Sequence, residues 1–228
     1  IVGAGNAGLA AGAYAADNGL DYRIIERNPM KGDTRLYYGA VDTSAAQAAG
    51  AEPVDRKHLL NEISRYASGK CNQAVVKVWI DESAQMHEFV NELMTAEPYN
   101  LSCMFTAGES SHWPEAEHVT DYMFPEIEHT FGGWSGEPKR NDVFSDFIEG
   151  HGGHIDYCCQ LVKLEKEQGR VVGAIAQDRN DGHFIRINAS RGVLLACGGY
   201  AANPRMMEAL DPLAVNVTDM NGNFPGQR

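Results

Sequence analysis

An α/β fold is predicted by three features of this 228-residue chain. Two β-branched residues run straight into Gly3-Ala4-Gly5-Asn6-Ala7-Gly8, the Gly-x-Gly-x-x-Gly spacing that joins a strand to a helix. The next predicted strand, Tyr22-Arg23-Ile24-Ile25, closes on an acid, Glu26. Near the far end, a second glycine pair, Gly198-Gly199, follows the apolar run Val193-Leu194-Leu195-Ala196. Together they describe a Rossmann-like βαβ unit for a dinucleotide.

Each element has a physical reason. Gly3 allows a sharp turn out of the strand, Gly5 lets the backbone approach a pyrophosphate, and Gly8 lets helix and sheet pack closely. With Ala7 they are the candidate cofactor-binding residues of the first loop. The pyrophosphate belongs at the helix N-terminus, where unpaired N–H groups and the helix dipole favour an anion. Leu9 to Asn18 is rich in helix formers, and Asn18-Gly19 is a stop signal. Glu26 lies 18 residues past Gly8, where a carboxylate can accept from both hydroxyls of an adenosine ribose. It also disfavours a 2′-phosphate, by charge repulsion.

Composition narrows the partners. A formal charge of −12 disfavours nucleic acid and anionic membranes, and no apolar run approaches the length of a membrane span. A soluble protein with a small-molecule substrate and cofactor is expected. The five cysteines, Cys71, Cys103, Cys158, Cys159 and Cys197, show neither metal-ligand spacing nor a disulfide framework. A reducing, cytoplasmic location is therefore expected, with Cys158 and Cys159 as ordinary small side chains on opposite faces of an extended run. The chain opens on only two residues of a strand and without methionine, so upstream residues are expected to be missing, and a signal peptide could have been lost with them.

After Glu26 come Arg27, then Gly32, Asp33, Thr34 and Arg35, then Leu36-Tyr37-Tyr38-Gly39-Ala40. This run resembles the flavoprotein superfamily of fumarate reductases, succinate dehydrogenase flavoprotein subunits and 3-ketosteroid dehydrogenases. There an acidic residue, a basic residue and a Gly-Gly-Asn/Thr-Ser-type loop lead to a small-residue turn beside the flavin. Gly32 matches the first glycine, Thr34 the Asn/Thr and Gly39-Ala40 the turn. Asp33 departs from the pattern, and must point away from a pyrophosphate or pair with Arg35 or Lys31. Tyr37 and Tyr38 replace smaller residues, and either reshape the approach to the flavin or serve as packing. The membrane-bound relatives attach flavin to a histidine just after this loop. No histidine occurs between Ile1 and Lys57, so the resemblance implies non-covalent FAD and disfavours the quinone-linked subgroup.

Thr43 to Gly50 reads as an alanine-rich connection. Asp55 to Ala67 and Asn72 to Met94 read as helices, the second capped by Asn72 and carrying Ala74, Val75, Val78, Trp79, Met86, Phe89, Val90 and Leu93 at mostly helical spacings. Trp79 and Phe89 are expected in the core. Glu97 to Lys139 holds four prolines and reads as a long irregular excursion. Its His112, His118 and His129 are too scattered for a metal site. Asn141 to Glu149 reads as a helix capped by Asn141 or Asp142. The next strand carries Leu161-Val162-Lys163-Leu164, and by resemblance Leu161 offers its backbone to the adenine. Strands from Gly169 to Ala189 turn at Asn180-Asp181-Gly182, a hairpin signal. Val193 to Ala196 suits a strand buried on both faces. The following Cys197-Gly198-Gly199-Tyr200 resembles the family's Ala-Thr-Gly-Gly-Phe signature, which makes Ala196, Cys197 and Gly198 cofactor candidates. Gly222 and Gly226 are weak matches to a further glycine loop.

The resemblance implies an FAD-binding domain of the glutathione-reductase type, with an additional β-meander and a helical insertion, over residues 1–228. Residues 1–45 would form the βαβ unit, 50–150 the insertion and 151–205 the returning strands, with the capping domain absent and both ends truncated. Its activity would be FAD-dependent oxidoreduction of CH–CH groups: hydride transfer between flavin and an activated C=C bond of a fumarate-like or enone substrate, fed by a separate electron-donor domain or protein. Catalytic residues are expected beyond Arg228, so the fragment would not act alone. Rivals are a non-catalytic flavin or electron-relay module and a nicotinamide-dependent dehydrogenase. A disulfide reductase fits poorly, with no cysteine before Cys71.

Overall fold

The computed structural model describes residues 1–33, 38–105, 128–131, 139–201 and 203–217. In chain order the first elements are α1 (Asn6–Asp17), β1 (Ile24–Ile25), β2 (Tyr38–Gly39), α2 (Ser44–Ala48), α3 (Arg56–Tyr66), α4 (Gln73–Thr95), β3 (Cys103–Phe105) and β4 (Glu128–Phe131). They are followed by α5 (Arg140–Gly150), β5 (Ile155–Asp156), β6 (Cys159–Glu167), β7 (Arg170–Asp178), β8 (Phe184–Asn188), α6 (Pro204–Leu210) and α7 (Pro212–Val217). Two compact units result, Ile1–Asp33 with Ile148–Arg228, and Thr34–Phe147.

The first unit is built on four short parallel segments. Val2 bridges Ile25 on one side and Leu195 on the other, and β1 pairs in parallel with β5. Their spatial order is thus third, second, first and fourth in the chain. Val2, Ile24, Ile25 and Ile155 are all buried, and β1 is apolar and buried on both faces. Against them lies α1, with Leu9 and Ala13 fully buried. Its Gly12 leaves the space taken by the side-chain tips of Ile24 and Ile148. An antiparallel meander, β6-β7-β8, supplies Cys159 and Ala176 to the cluster of Val2 and Ile25. The expected hairpin at Asn180-Asp181-Gly182 links β7 to β8.

The second unit packs α3 and α4 through Val41, Leu59 and Ile80 and carries a three-stranded antiparallel sheet, order β2-β4-β3. Its helices begin where polar side chains satisfy the first N–H groups: Thr43 accepts from Ala46, Asp55 from Lys57 and His58, and Asn72 from Ala74.

Several expectations are corrected. Residues 43–50 contain a capped helix, α2, because Thr43 supplies the cap that an alanine count hides. Strands β3 and β4 form within the stretch expected to be irregular. On α4 the apolar Val75, Val78 and Met86 are exposed, while the buried stripe includes Ser83 and His87. Asn141 lies buried inside α5 and is not its cap. Cys158 adopts left-handed φ of 53° in a turn, so it does not share an extended run with Cys159; both thiols are free. Finally, Leu194 and Leu195 are 50% and 52% exposed. Their segment makes only the single bridge to Val2 among the described residues, so it is not buried on both faces.

The glycines of α1 differ in what a methyl would meet. At Gly8 an added Cβ would stand 1.8 Å from the Gly3 carbonyl oxygen, a backbone atom, whereas at Gly12 it would meet flexible isoleucine tips at 2.5 and 2.9 Å. Gly8→Ala is expected to cost about 1–3 kcal/mol or more. Gly12→Ala gains about 1 kcal/mol of helix propensity against its strain and should lie close to the parent. Thermal denaturation checks the ranking; equal losses at both sites would contradict it.

Candidate functional site

The first unit brings the two glycine signatures to one place. Gly3 has φ +105°, and a Cβ there would lie 2.6 Å from the carbonyl oxygen of Ala196 and 3.2 Å from Cys197 Cα. A Cβ on Gly8 would lie 3.4 Å from that of Ala196. Backbone hydrogen bonds from Val2 N to Leu194 O, 2.9 Å, and from Ala196 N to Val2 O, 2.8 Å, hold the segments in this register. Ala196 is half-buried, Cys197 exposed, and Gly198 exposed at φ +73°.

Gly5 is the N-cap of α1, and among the described residues no side-chain hydrogen bond caps the helix. A Cβ on Gly5 would meet nothing within 4 Å, and the first turn, which includes Ala7, contains no acid. Such a helix start accepts an anion at its N–H groups. Gly32 completes the loop: its N–H donates to Ala4 O at 2.9 Å, and a Cβ on it would press on Gly5 Cα at 3.2 Å.

Glu26 is 8% exposed. Oε2 accepts from Ala4 N and Oε1 from Asn28 N, both at 2.8 Å. A carboxylate oxygen has room for a second donor, so the side chain can serve the loop and a ligand hydroxyl together. Arg27 is exposed, and its carbonyl accepts from Arg179 Nη1 at 2.9 Å. Leu161 is half-buried against the cluster of Val2 and Ile25. Just after it the β6-β7 register shifts, with Leu161 opposite Ala176 and Lys163 opposite Ile175, so Val162 is the extra residue of a bulge, a feature frequent beside sites.

Of the second unit's candidates, Thr34 and Arg35 lie outside the described residues, as do Tyr37, His112, His118, Gly222 and Gly226. Gly39 and the buried Ala40 are held by one face of α4. Trp79 Nε1 donates to Gly39 O at 3.1 Å, Ser83 Oγ accepts from Val41 N at 2.9 Å, and His87 Nδ1 lies 2.6 Å from the Tyr38 hydroxyl. Trp79, Ser83 and His87 are spaced i, i+4, i+8 and so lie on one stripe. This polar register was missed because a search for apolar periodicity skips Ser and His. Tyr38 stacks on Phe131, and the Arg140 guanidinium carbon sits 4.4 Å over its ring, a cation–π arrangement. Burial pushes the Tyr38 phenol up, the Cys103 thiol up to about 11, and the His87 imidazole below its ordinary 6.5.

At the β7-β8 turn, ligand atoms of Asp178, Asp181 and His183 lie within 4.8 Å of one another. Asp178 accepts from Asn180 N and Asp181 from His183 N, so these carboxylates shape the turn.

His87 sets a pH dependence. The unfolded chain takes up its proton near 6.5 while the folded chain resists, so the stabilisation is complete above that pH and is lost as pH falls through it. His87 faces the Tyr38 hydroxyl and the Phe131 ring, with Glu88 as its charged neighbour; Arg140 and Cys103 act on Tyr38. Glutamine at this position does not titrate. Melting temperature should therefore fall less between pH 7.5 and 5 in His87→Gln than in the parent; parallel curves would refute the assignment.

A family model described as "FAD binding domain" matches residues 1–226. Among curated proteins, the probable fumarate reductase Ifc3 of Shewanella frigidimarina is 23% identical over 97% of this chain and 35% of its own length. Among solved structures, the 3-ketosteroid-Δ4-(5α)-dehydrogenase of Rhodococcus jostii RHA1 superimposes with a TM-score of 0.69 at 21% identity, over 94% of this chain and 48% of that one. An open flavocytochrome c3 fumarate reductase gives 0.68 at 21%, over 95% and 36%. The chain thus spans about a third to a half of the length of these relatives. With the match running over almost every residue, the chain belongs to the FAD-binding-domain family, and its cofactor is FAD.

Proposed function

We propose that the protein is part of an FAD-dependent oxidoreductase acting on an activated C=C bond of a fumarate-like or enone substrate. The observation that carries this reading is the meeting of the two glycine signatures at Gly3 and Ala196 beside an N-terminal helix turn with open space at Gly5. The parallel order third, second, first, fourth supports a Rossmann-like domain of the glutathione-reductase type, with β6-β7-β8 as its meander.

In this reading Gly3, Gly5, Ala7 and Gly8 present backbone to the pyrophosphate, and the start of α1 neutralises its charge. Glu26 accepts from the ribose hydroxyls, Arg27 borders that end, and Leu161 offers backbone to the adenine. Gly32 borders the diphosphate, and Ala196, Cys197 and Gly198 let the backbone pass the dinucleotide; Thr34, Arg35, Gly39 and Ala40 are cofactor candidates by the family resemblance alone. When bound, FAD supplies the hydride chemistry. The chain's own residues bind and orient it, and the proton-donating and substrate-polarising groups belong to the part of the relatives that this chain does not span. The lack of histidine before His58 supports non-covalent binding. A separate domain or protein that delivers electrons is the partner this reading requires. No helix among the described residues is long and apolar enough to cross a membrane. The family match does not favour a nicotinamide-dependent dehydrogenase.

The intact protein should be yellow, with flavin bands at roughly 375 and 450 nm that acid precipitation releases as FAD. It should then oxidise a reduced dye when given an alkene conjugated to a carbonyl. Colour retained in the pellet would overturn non-covalent binding, and a flavoprotein that turns over none of a fumarate, enoate and enone panel would overturn the substrate class.

A further inference from the structure

Glu26 can serve a ribose only if the turn after β1 keeps its shape, because one of its two backbone partners, Asn28 N, belongs to that turn. Residues 26–28 are in no helix or strand. Three long-range bonds from Cys158, Cys159 and Arg179 fix them instead, and a fourth braces Cys158 itself. Cys159 N donates to Glu26 O at 2.8 Å, and Cys158 N to Asn28 O at 3.0 Å. Arg179 N donates to Cys158 O at 2.8 Å, while its Nη1 donates to Arg27 O at 2.9 Å. Cys158 holds its left-handed φ of 53°, a conformation unfavourable for a residue with a Cβ, and in it its N–H meets Asn28 and its carbonyl meets Arg179. Arg179 therefore grips the turn twice, through Cys158 with its backbone and directly with its guanidinium. It stands 152 residues from Arg27 in the chain, at the end of β7 where the hairpin begins.

We propose that Arg179 is a positioning residue for the adenosine end of FAD, clamping the Glu26-Arg27-Asn28 turn so that the Glu26 carboxylate faces the ribose. The inference rests on the reading of Glu26 as the ribose acceptor. Arg179 is exposed and outside the apolar cluster, so its replacement leaves the core intact. An exposed charged hydrogen bond of this kind corresponds to about a three- to tenfold change in affinity.

The test is a double-substitution cycle in the intact protein, with FAD binding to the apoprotein followed by flavin fluorescence. Arg179→Met should weaken FAD by about three- to tenfold and leave the apoprotein's melting temperature and the bound flavin's visible spectrum unchanged. Arg179→Lys, which keeps a cationic donor, should recover part of the loss. Arg186→Met, which removes an arginine paired with Glu165 on the same meander, should change nothing. In a Glu26→Gln background, Arg179→Met should cost nothing further, because its effect passes through Glu26. An unchanged affinity in Arg179→Met overturns the proposal, as does a loss that adds in full to that of Glu26→Gln. If Glu26→Gln itself binds FAD as tightly as the parent, the ribose reading fails first and this inference falls with it. A parent that binds no FAD would defeat the proposed function itself.

Discussion

Backbone passing backbone without a side chain between is the constraint on which the first unit depends. Gly3 approaches the Ala196 carbonyl so closely that any Cβ would collide, and Gly8 does the same to the Gly3 carbonyl. Removing the side chains draws the start of α1, the first strand segment and the segment at Leu195 into one crossing point. Backbone N–H groups concentrate there, and among the described residues nothing lies within 4 Å of a Cβ placed on Gly5. Small residues at this point are thus needed for packing, and in the proposed function they also leave the backbone open to a diphosphate.

Around that point the polar groups serve the fold and keep accepting capacity to spare. Glu26 is nearly buried, yet each oxygen is bonded to a backbone N–H, which satisfies the charge without using its whole accepting capacity. The turn that supplies one of those N–H groups is held by Cys158, Cys159 and Arg179 from the meander. In this way the β6-β7-β8 sheet, which contributes few buried side chains, contributes the shape of the acidic strand end.

The second unit uses a different device for the same purpose. Its short strand β2 pairs with β4 at only two residues, too little to fix the backbone from Tyr38 to Val41. The stripe Trp79, Ser83 and His87 on α4 supplies a donor, an acceptor and a ring nitrogen at successive turns, and those bonds hold Gly39 and Ala40 in place. Burial keeps His87 and Tyr38 neutral at ordinary pH, so neither ring adds a charge to the core.

How much could be read beforehand follows from the range of the forces involved. The Gly-x-Gly-x-x-Gly loop, the helix behind it, Glu26, the cap Asn72, the hairpin at Asn180-Asp181-Gly182 and the second glycine pair are local signals, set by φ preferences, N–H capping and residue size within a few positions, and the sequence by itself determined them. Tertiary structure alone decided which residues meet across distance: Arg179 with Arg27, Cys158 with Asn28, and the α4 stripe with Tyr38 to Val41. It also decided that Val75 and Val78 face outward and Leu195 remains half exposed. Periodicity reports that a residue is apolar, but whether it is buried depends on what arrives to cover it, and that is a property of the whole fold.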